Sequence, residues 1–247
     1  MDTINRINPL LEILRAAPGR VNKIFLQKEG GRRPAGEIAA LAKAGRVPYL
    51  FVPKQALDKM SAYHQGVVAL ITPKEFAPFD QIHERVAAEL KAGAGRPFLL
   101  FLDEIEDPQN LGAILRSAEV AAVDAVILPE RRSAGLTDAV YEVSAGALEH
   151  LRIARVPNLH QAMERFKELG VWMIGAEGGG DGHYWDFDYK QPVGLVLGSE
   201  GKGLRPLVRR TCDRVLSIPV RGRVNSLNVA SAASVFMFEV VRQRVTL

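Results

Sequence analysis

The chain has 247 residues, 47% of them hydrophobic and 24% charged, with a net charge of +4. These are the proportions of a globular protein long enough for two modest domains. No apolar run approaches the roughly 20 residues a membrane span needs, the first residues lack the pattern of a secretory signal, and one cysteine, Cys212, excludes an internal disulfide or a multi-cysteine zinc site. Charge is unevenly spread: residues 1–75 carry +6, residues 76–200 carry −9 and residues 201–247 carry +7. Two basic ends around an acidic middle suit a polyanionic partner that touches both. The expected location is a reducing cytoplasm, with no membrane association.

In chain order, NPLLEILRA reads as a helix, KIFLQ as a strand and GEIAALAKAG as a helix closing on Gly45. PYLFV follows as a strand, KQALDKMSA as a helix and VVALI as a strand. This alternation predicts a small α/β unit over 1–75. Residues 76–96 hold one polar helix, QIHERVAAELKA, and end in GAGRP, read here as the interdomain linker. From 97 to 247 the alternation restarts. FLLFLDEI, AVILPE, RIARV, VWMIGAE, GLVLG and RVLSIPV read as strands, separated by helical stretches and closed by SLNVASAASVFMFEVVRQR. The expected fold class is α/β with a parallel sheet in the second domain.

Several chemistries are excluded by missing motifs. No G-x-G-x-x-G follows the first strand of the second domain. Gly201-Lys202 completes no P-loop, His83-Glu84 no H-E-x-x-H, and Ser199 no G-x-S-x-G elbow. The remaining histidines are scattered, so no metal is expected.

Three segments carry chemistry. The first is DPQNLGAILRSA (107–118), in which Asn110 is placed as a helix N-cap. Gly112 and Ala113 sit one turn before Arg116 and leave room beneath its guanidinium. The second is GLVLGSEGKGLR (194–205), a buried strand running into a loop with three glycines, the carboxylate of Glu200 and the cations Lys202 and Arg205. Such a loop at a strand's C-terminal end is the usual ligand site of α/β folds. The third is LSIPVRGRVNSLNVASAA (216–233), in which a strand ends at Pro219, crosses a basic loop and enters a small-residue helix capped by Asn225 or Ser226.

In order, spacing and residue type these segments resemble the three signature motifs of the SpoU/TrmH family in the SPOUT superfamily, and the resemblance covers nearly the whole chain. Residues 1–75 are similar to the L30e-like RNA-binding domain that precedes the catalytic domain in rRNA-modifying members, and residues 143–159 to their linking segment. The resemblance implies a C-terminal trefoil knot, S-adenosylmethionine as methyl donor without a metal, a homodimer, and methylation of a ribose 2′-hydroxyl in RNA. A guanosine of 23S rRNA is the expected target. A tRNA ribose methyltransferase and a non-catalytic RNA-binding paralogue are the alternatives.

The resemblance also implies site residues. Leu197, Gly198, Gly201, Ile218 and Leu227 would hold the cofactor. Asn110, Arg116, Glu200, Ser226 and Asn228 would form the catalytic set. A guanidinium is too weak an acid to give up its proton near neutral pH. Arg116 is therefore expected to anchor a phosphate and stabilise a forming alkoxide, with Glu200 either taking the proton or holding Arg116. Asn110, Ser226 and Asn228 would orient the ribose and Arg116. Arg32 and Arg33, beside the Gly30-Gly31 turn, are candidate RNA phosphate contacts.

Overall fold

A computed structural model describes residues 2–28, 34–93 and 95–245. Arg32 and Arg33 lie outside the described residues. The chain divides into two compact units, residues 1–75 with 135–150, and residues 76–134 with 151–247.

The first unit is a four-stranded sheet with helices. Its elements are β1 (Asp2–Ile4), α1 (Ile7–Ala16), β2 (Val21–Gln27), α2 (Pro34–Ala44), β3 (Tyr49–Val52), α3 (Lys54–Asp58) and β4 (Val67–Ile71). The strand order is β1-β4-β2-β3, with β2 and β3 parallel and both contacts of β4 antiparallel. Helix α1 forms because its apolar residues recur on one face: Leu10, Leu11, Ile13 and Leu14 are all buried. Helix α3 stops at Asp58, four residues short of the expected stretch, where the chain turns into the loop before β4.

Residues 135–150, which contain α6 (Asp138–Val143), also belong to this first unit. Val140, Tyr141 and Leu148 are fully buried there. The Arg20 guanidinium bonds Glu149 and the Tyr141 hydroxyl, both at 2.5 Å, and Lys74 Nζ donates to the carbonyls of Leu148 (2.6 Å) and Glu149 (2.9 Å). Burial of the Tyr141 phenol raises its pKa. The first unit is thus assembled from two stretches of chain, which no boundary drawn along the sequence at residue 75 captures.

The second unit begins with α4 (Phe79–Lys91), so residues 76–96 are not the linker read from the sequence: Ile82 and Val86 sit in this unit's core. Its parallel strands are β5 (Phe98–Leu102), β6 (Ala125–Pro129), β7 (Ile153–Val156), β8 (Trp172–Ala176), β9 (Gly182–His183), β10 (Val193–Leu197) and β11 (Arg214–Ser217), ordered β7-β6-β5-β10-β8-β11-β9. The helices are α5 (Pro108–Val120), α7 (Leu159–Lys167), α8 (Pro206–Thr211) and α9 (Val229–Arg244). Strands β5, β6 and β10 are buried along their whole length, which explains their continuous apolar runs. On one face, Leu99, Phe101, Ile127 and Met173 pack with Met163 and Phe166 of α7. The interleaving is unusual: β11 is threaded between β8 and β9, which are consecutive in the chain. A Cβ at Gly180, in the β8–β9 connection, would strike the backbone of Val215, so the crossing needs glycine there. No helix among the described residues is long and apolar enough to cross a membrane. Cys212 is partly buried, and burial pushes its thiol up to about 12.

The two-stretch first unit makes truncation costly. Deleting residues 1–75 removes the partners of Val140, Tyr141 and Leu148, and the truncated protein is expected to bind more 8-anilinonaphthalene sulfonate than the full chain. Equal dye fluorescence would show that residues 135–150 do not depend on that cover.

Candidate active site

Strand β10 lies between β5 and β8, with Leu195 beside Leu100 on one side and Ile174 on the other. The loop leaving β10 is held by an acid from each neighbour. Asp103, just past β5 and fully buried, accepts the Arg205 backbone N–H at 2.9 Å and its Nε–H at 2.7 Å. Glu177, just past β8, accepts the Leu204 N–H at 3.1 Å and the Arg209 Nε–H at 2.7 Å. The pairing holds the Arg205 guanidinium above its ordinary pKa, chiefly through the hydrogen bond to Asp103. Within the loop, Ser199 and Gly203 form a bridge, and a Cβ at Gly198 would collide with the backbone of Gly203 and Leu204. Only glycine fits that close approach.

This loop, the segment after β11 and the start of α9 enclose a cleft of about 400 Å³. All five residues assigned to the cofactor (Leu197, Gly198, Gly201, Ile218 and Leu227) line it, as do Glu200 and Ser226. The sequence did not point to Ala176, Val220 and Phe236, which line it as well, nor to the clamping acids Asp103 and Glu177. An acid directly after a buried strand is the only sequence mark those two carry.

Three of the five catalytic candidates meet through side chains. Asn228 Nδ2 donates to Asn110 Oδ1 at 2.8 Å, and Asn110 Nδ2 donates to Glu200 Oε2 at 3.2 Å. The chain Asn228–Asn110–Glu200 therefore joins all three motif segments. The capping assignments change. Asp107, whose side chain accepts the Gln109 N–H at 2.9 Å, caps α5, which frees Asn110 for the network. Asn228, not Asn225 or Ser226, caps α9: its Oδ1 accepts the N–H groups of Ala230 at 2.9 Å and Ser231 at 3.4 Å. Ser226 is exposed at the cleft wall.

Arg116 is not drawn into this network. It is exposed, does not line the cleft, and forms no ion pair among the described residues. Six residues along α5 from Asn110, it is turned by about 240° around the helix axis. It shares a stripe with Gln109, Ala113 and Val120, and Val120 is 63% exposed. Helix α9 packs on α5, with Ser117 and Ser234 hydroxyls 2.8 Å apart.

Known proteins resemble this chain over most of its length. The sequence profile of the SpoU rRNA Methylase family matches residues 97–238, and that for RNA 2′-O ribose methyltransferase substrate binding matches residues 7–77. The TrmH family protein YacO of Bacillus subtilis is 38% identical over 238 residues, 96% of this chain and 94% of its own length. A TrmH family protein of Staphylococcus saprophyticus is 42% identical over 225 residues, covering 91% and 89%. Among solved structures, the SpoU methyltransferase AviRb from Streptomyces viridochromogenes, in complex with the cofactor AdoMet, superposes with a TM-score of 0.79 at 26% identity, covering 98% of this chain and 90% of that one.

The double duty of Asn228 can be separated. Asn228→Asp keeps a capping oxygen but loses the donor to Asn110, so it is expected to unfold within about 0.5 kcal/mol of wild type and to lose most methyl transfer. Asn228→Ala is expected to lose both transfer and about 1 kcal/mol of stability. Urea denaturation with a methyl-transfer assay checks this; an Asp variant as active as wild type would remove the Asn228–Asn110 contact from the reaction.

Proposed function

The chain belongs to the SpoU/TrmH family of RNA methyltransferases, and from that premise we propose that it transfers a methyl group to a ribose 2′-hydroxyl of rRNA, with S-adenosylmethionine as donor. The observation that carries the reading is the Asn228–Asn110–Glu200 chain beside a glycine-walled cleft.

The cleft suits such a cofactor. Leu197, Ile218, Leu227, Val220 and Phe236 offer an apolar lining, and the Gly198–Gly203 stretch offers backbone groups with no Cβ to block them at Gly198, Gly201 and Gly203. When bound, S-adenosylmethionine supplies an electrophilic methyl on a sulfonium. The chain's residues must then place the 2′-hydroxyl and remove its proton. Glu200 is exposed, and one of its oxygens is tied to Asn110. Its other oxygen faces no partner among the described residues and takes the proton. Asn110 and Asn228 fix that carboxylate, and Ser226 meets the ribose at the wall.

Arg116 anchors a phosphate through its guanidinium. Its stripe runs beside that of α9, on which Phe238 is 45% exposed and Ser231, Val235 and Arg242 follow at helical spacing. A C2 homodimer through this face would cover Val120 and Phe238 and put Arg116 at the seam. The substrate-binding match over residues 7–77 and the +6 charge of residues 1–75 favour rRNA. The curated relatives are named for tRNA or rRNA, and tRNA is the second reading. A reaction on rRNA or tRNA suits a cytoplasmic location.

Calorimetry in EDTA is expected to show S-adenosylmethionine binding. Comparing 2′-O-methyl sites in rRNA and tRNA from cells with and without the protein is expected to show one rRNA position lost. A lost tRNA position would select the second reading, and no lost position would refute both. Arg116→Ala is expected to lower single-turnover transfer by at least about a hundredfold, about 2.7 kcal/mol, while cofactor binding is unchanged. Light scattering is expected to give a dimer.

A further inference from the structure

A second cavity, of about 340 Å³, lies in the second unit, with His160, Arg205 and Arg210 in its walls. None of these three belongs to the catalytic set or the cofactor cleft. We propose that this cavity is a phosphate-binding subsite that grips the RNA backbone next to the target nucleotide. The proposal rests on the functional reading above and extends it.

The argument starts from Arg205. Its Nε donates to Asp103 Oδ1 at 2.7 Å, and its Nη2 lies 2.6 Å from the same oxygen. Asp103 is fully buried, whereas the Arg205 side chain is 43% exposed. A hidden carboxylate therefore fixes one edge of the guanidinium, and Nη1, with no partner among the described residues, remains for an incoming oxyanion. An arginine held this way gives up little rotamer entropy on binding, the arrangement that favours bidentate recognition of phosphate.

The neighbours are consistent with an anion. Arg210 is exposed and forms no ion pair among the described residues. The His160 ring is fixed by a 2.6 Å bond between Nδ1 and Thr211 Oγ1, with Glu164 at 4.0 Å as the carboxylate on that side. On the other side of Arg205, Glu104 is 3.6 Å away but is shared with Arg132 at 3.3 Å. The walls of the cavity itself hold two arginines and no carboxylate. Arg205 is five residues from Glu200, so no more than about 18 Å of chain separates them. Phosphates bound here belong to the nucleotides flanking the one in the cleft.

The test uses the full-length protein and an in vitro 23S rRNA transcript, in filter binding across a salt series and in steady-state methylation. Arg210→Ala removes an exposed, unpaired side chain, so the fold should not suffer, and a melting curve checks this. It is expected to weaken RNA binding about three- to tenfold, to flatten the slope of log K against log salt by about one, and to raise KM for RNA while kcat and S-adenosylmethionine affinity stay as in wild type. Arg205→Lys, which keeps the charge but not the fork, is expected to raise KM as well, and Arg210→Lys to restore most of the binding. An Arg210→Ala protein with wild-type affinity and salt slope that still methylates the transcript would overturn the subsite and leave the functional reading intact. A wild-type protein that binds no RNA at all would overturn both.

Discussion

The site depends on one constraint, the pinning of the loop after β10 by carboxylates from the strands on either side. A stretch with glycines at 198, 201 and 203 is entropically expensive to order. Asp103 and Glu177 offset that cost with four hydrogen bonds, two to backbone N–H groups and two to arginine side chains. Burying Asp103 would be prohibitive without the facing guanidinium, and removing either partner leaves the other stranded. Because the loop is fixed, Glu200 has a defined place, and only then can Asn110 on another element reach it. The electrostatics of the fold and the geometry of the proposed proton acceptor are therefore one structure.

The same economy appears at the two helices that frame the cleft. The start of α9 needs a cap, and Asn228 supplies it with its oxygen while its nitrogen reaches Asn110. The start of α5 needs a cap too, but Asp107 provides it, so Asn110, three residues on, can spend both ends of its amide on Asn228 and Glu200. The Ser117–Ser234 bond locks the helices in register. A shift of either helix along the other would break the amide chain.

What was legible in the sequence follows from the range of each signal. Buried parallel strands are continuous apolar runs, and β5, β6 and β10 could be read directly. Strands β1 and β9, of three and two residues, are too short to carry a period and were missed. The QIHERVAAELKA stretch reads as a linker because most of its surface is polar, and Ile82, Val86 and Leu90 reveal that it packs. The cleft lining was legible because glycine-rich loops and small-residue helix starts mark close backbone approach. The acids that hold the loop were not, because an aspartate after a strand looks the same whether it faces water or an arginine a hundred residues away. Arg116 shows the opposite limit: its presence in the motif is clear, but its face of α5 points away from the cleft of its own chain, which only the helix geometry reveals.

The charge pattern gains a different meaning once the ion pairs are known. Residues 76–200 sum to −9, which on sequence alone suggests a surface that repels RNA. Yet Asp103 and Glu104 are occupied by Arg205 and Arg132, Glu177 by Arg209, Glu149 by Arg20, and Glu142 by Arg6. These acids are spent on arranging arginines within their own units, and their fields are largely cancelled at the surface. Lys202, Arg116, Arg131, Arg210, Arg221 and Arg223 form no ion pair among the described residues. Four of these six fall outside the stretch that sums to −9, which leaves the second unit more receptive to a polyanion than its composition implies. A binding surface for RNA is thus set less by net charge than by which cations are left over after the fold has used the rest.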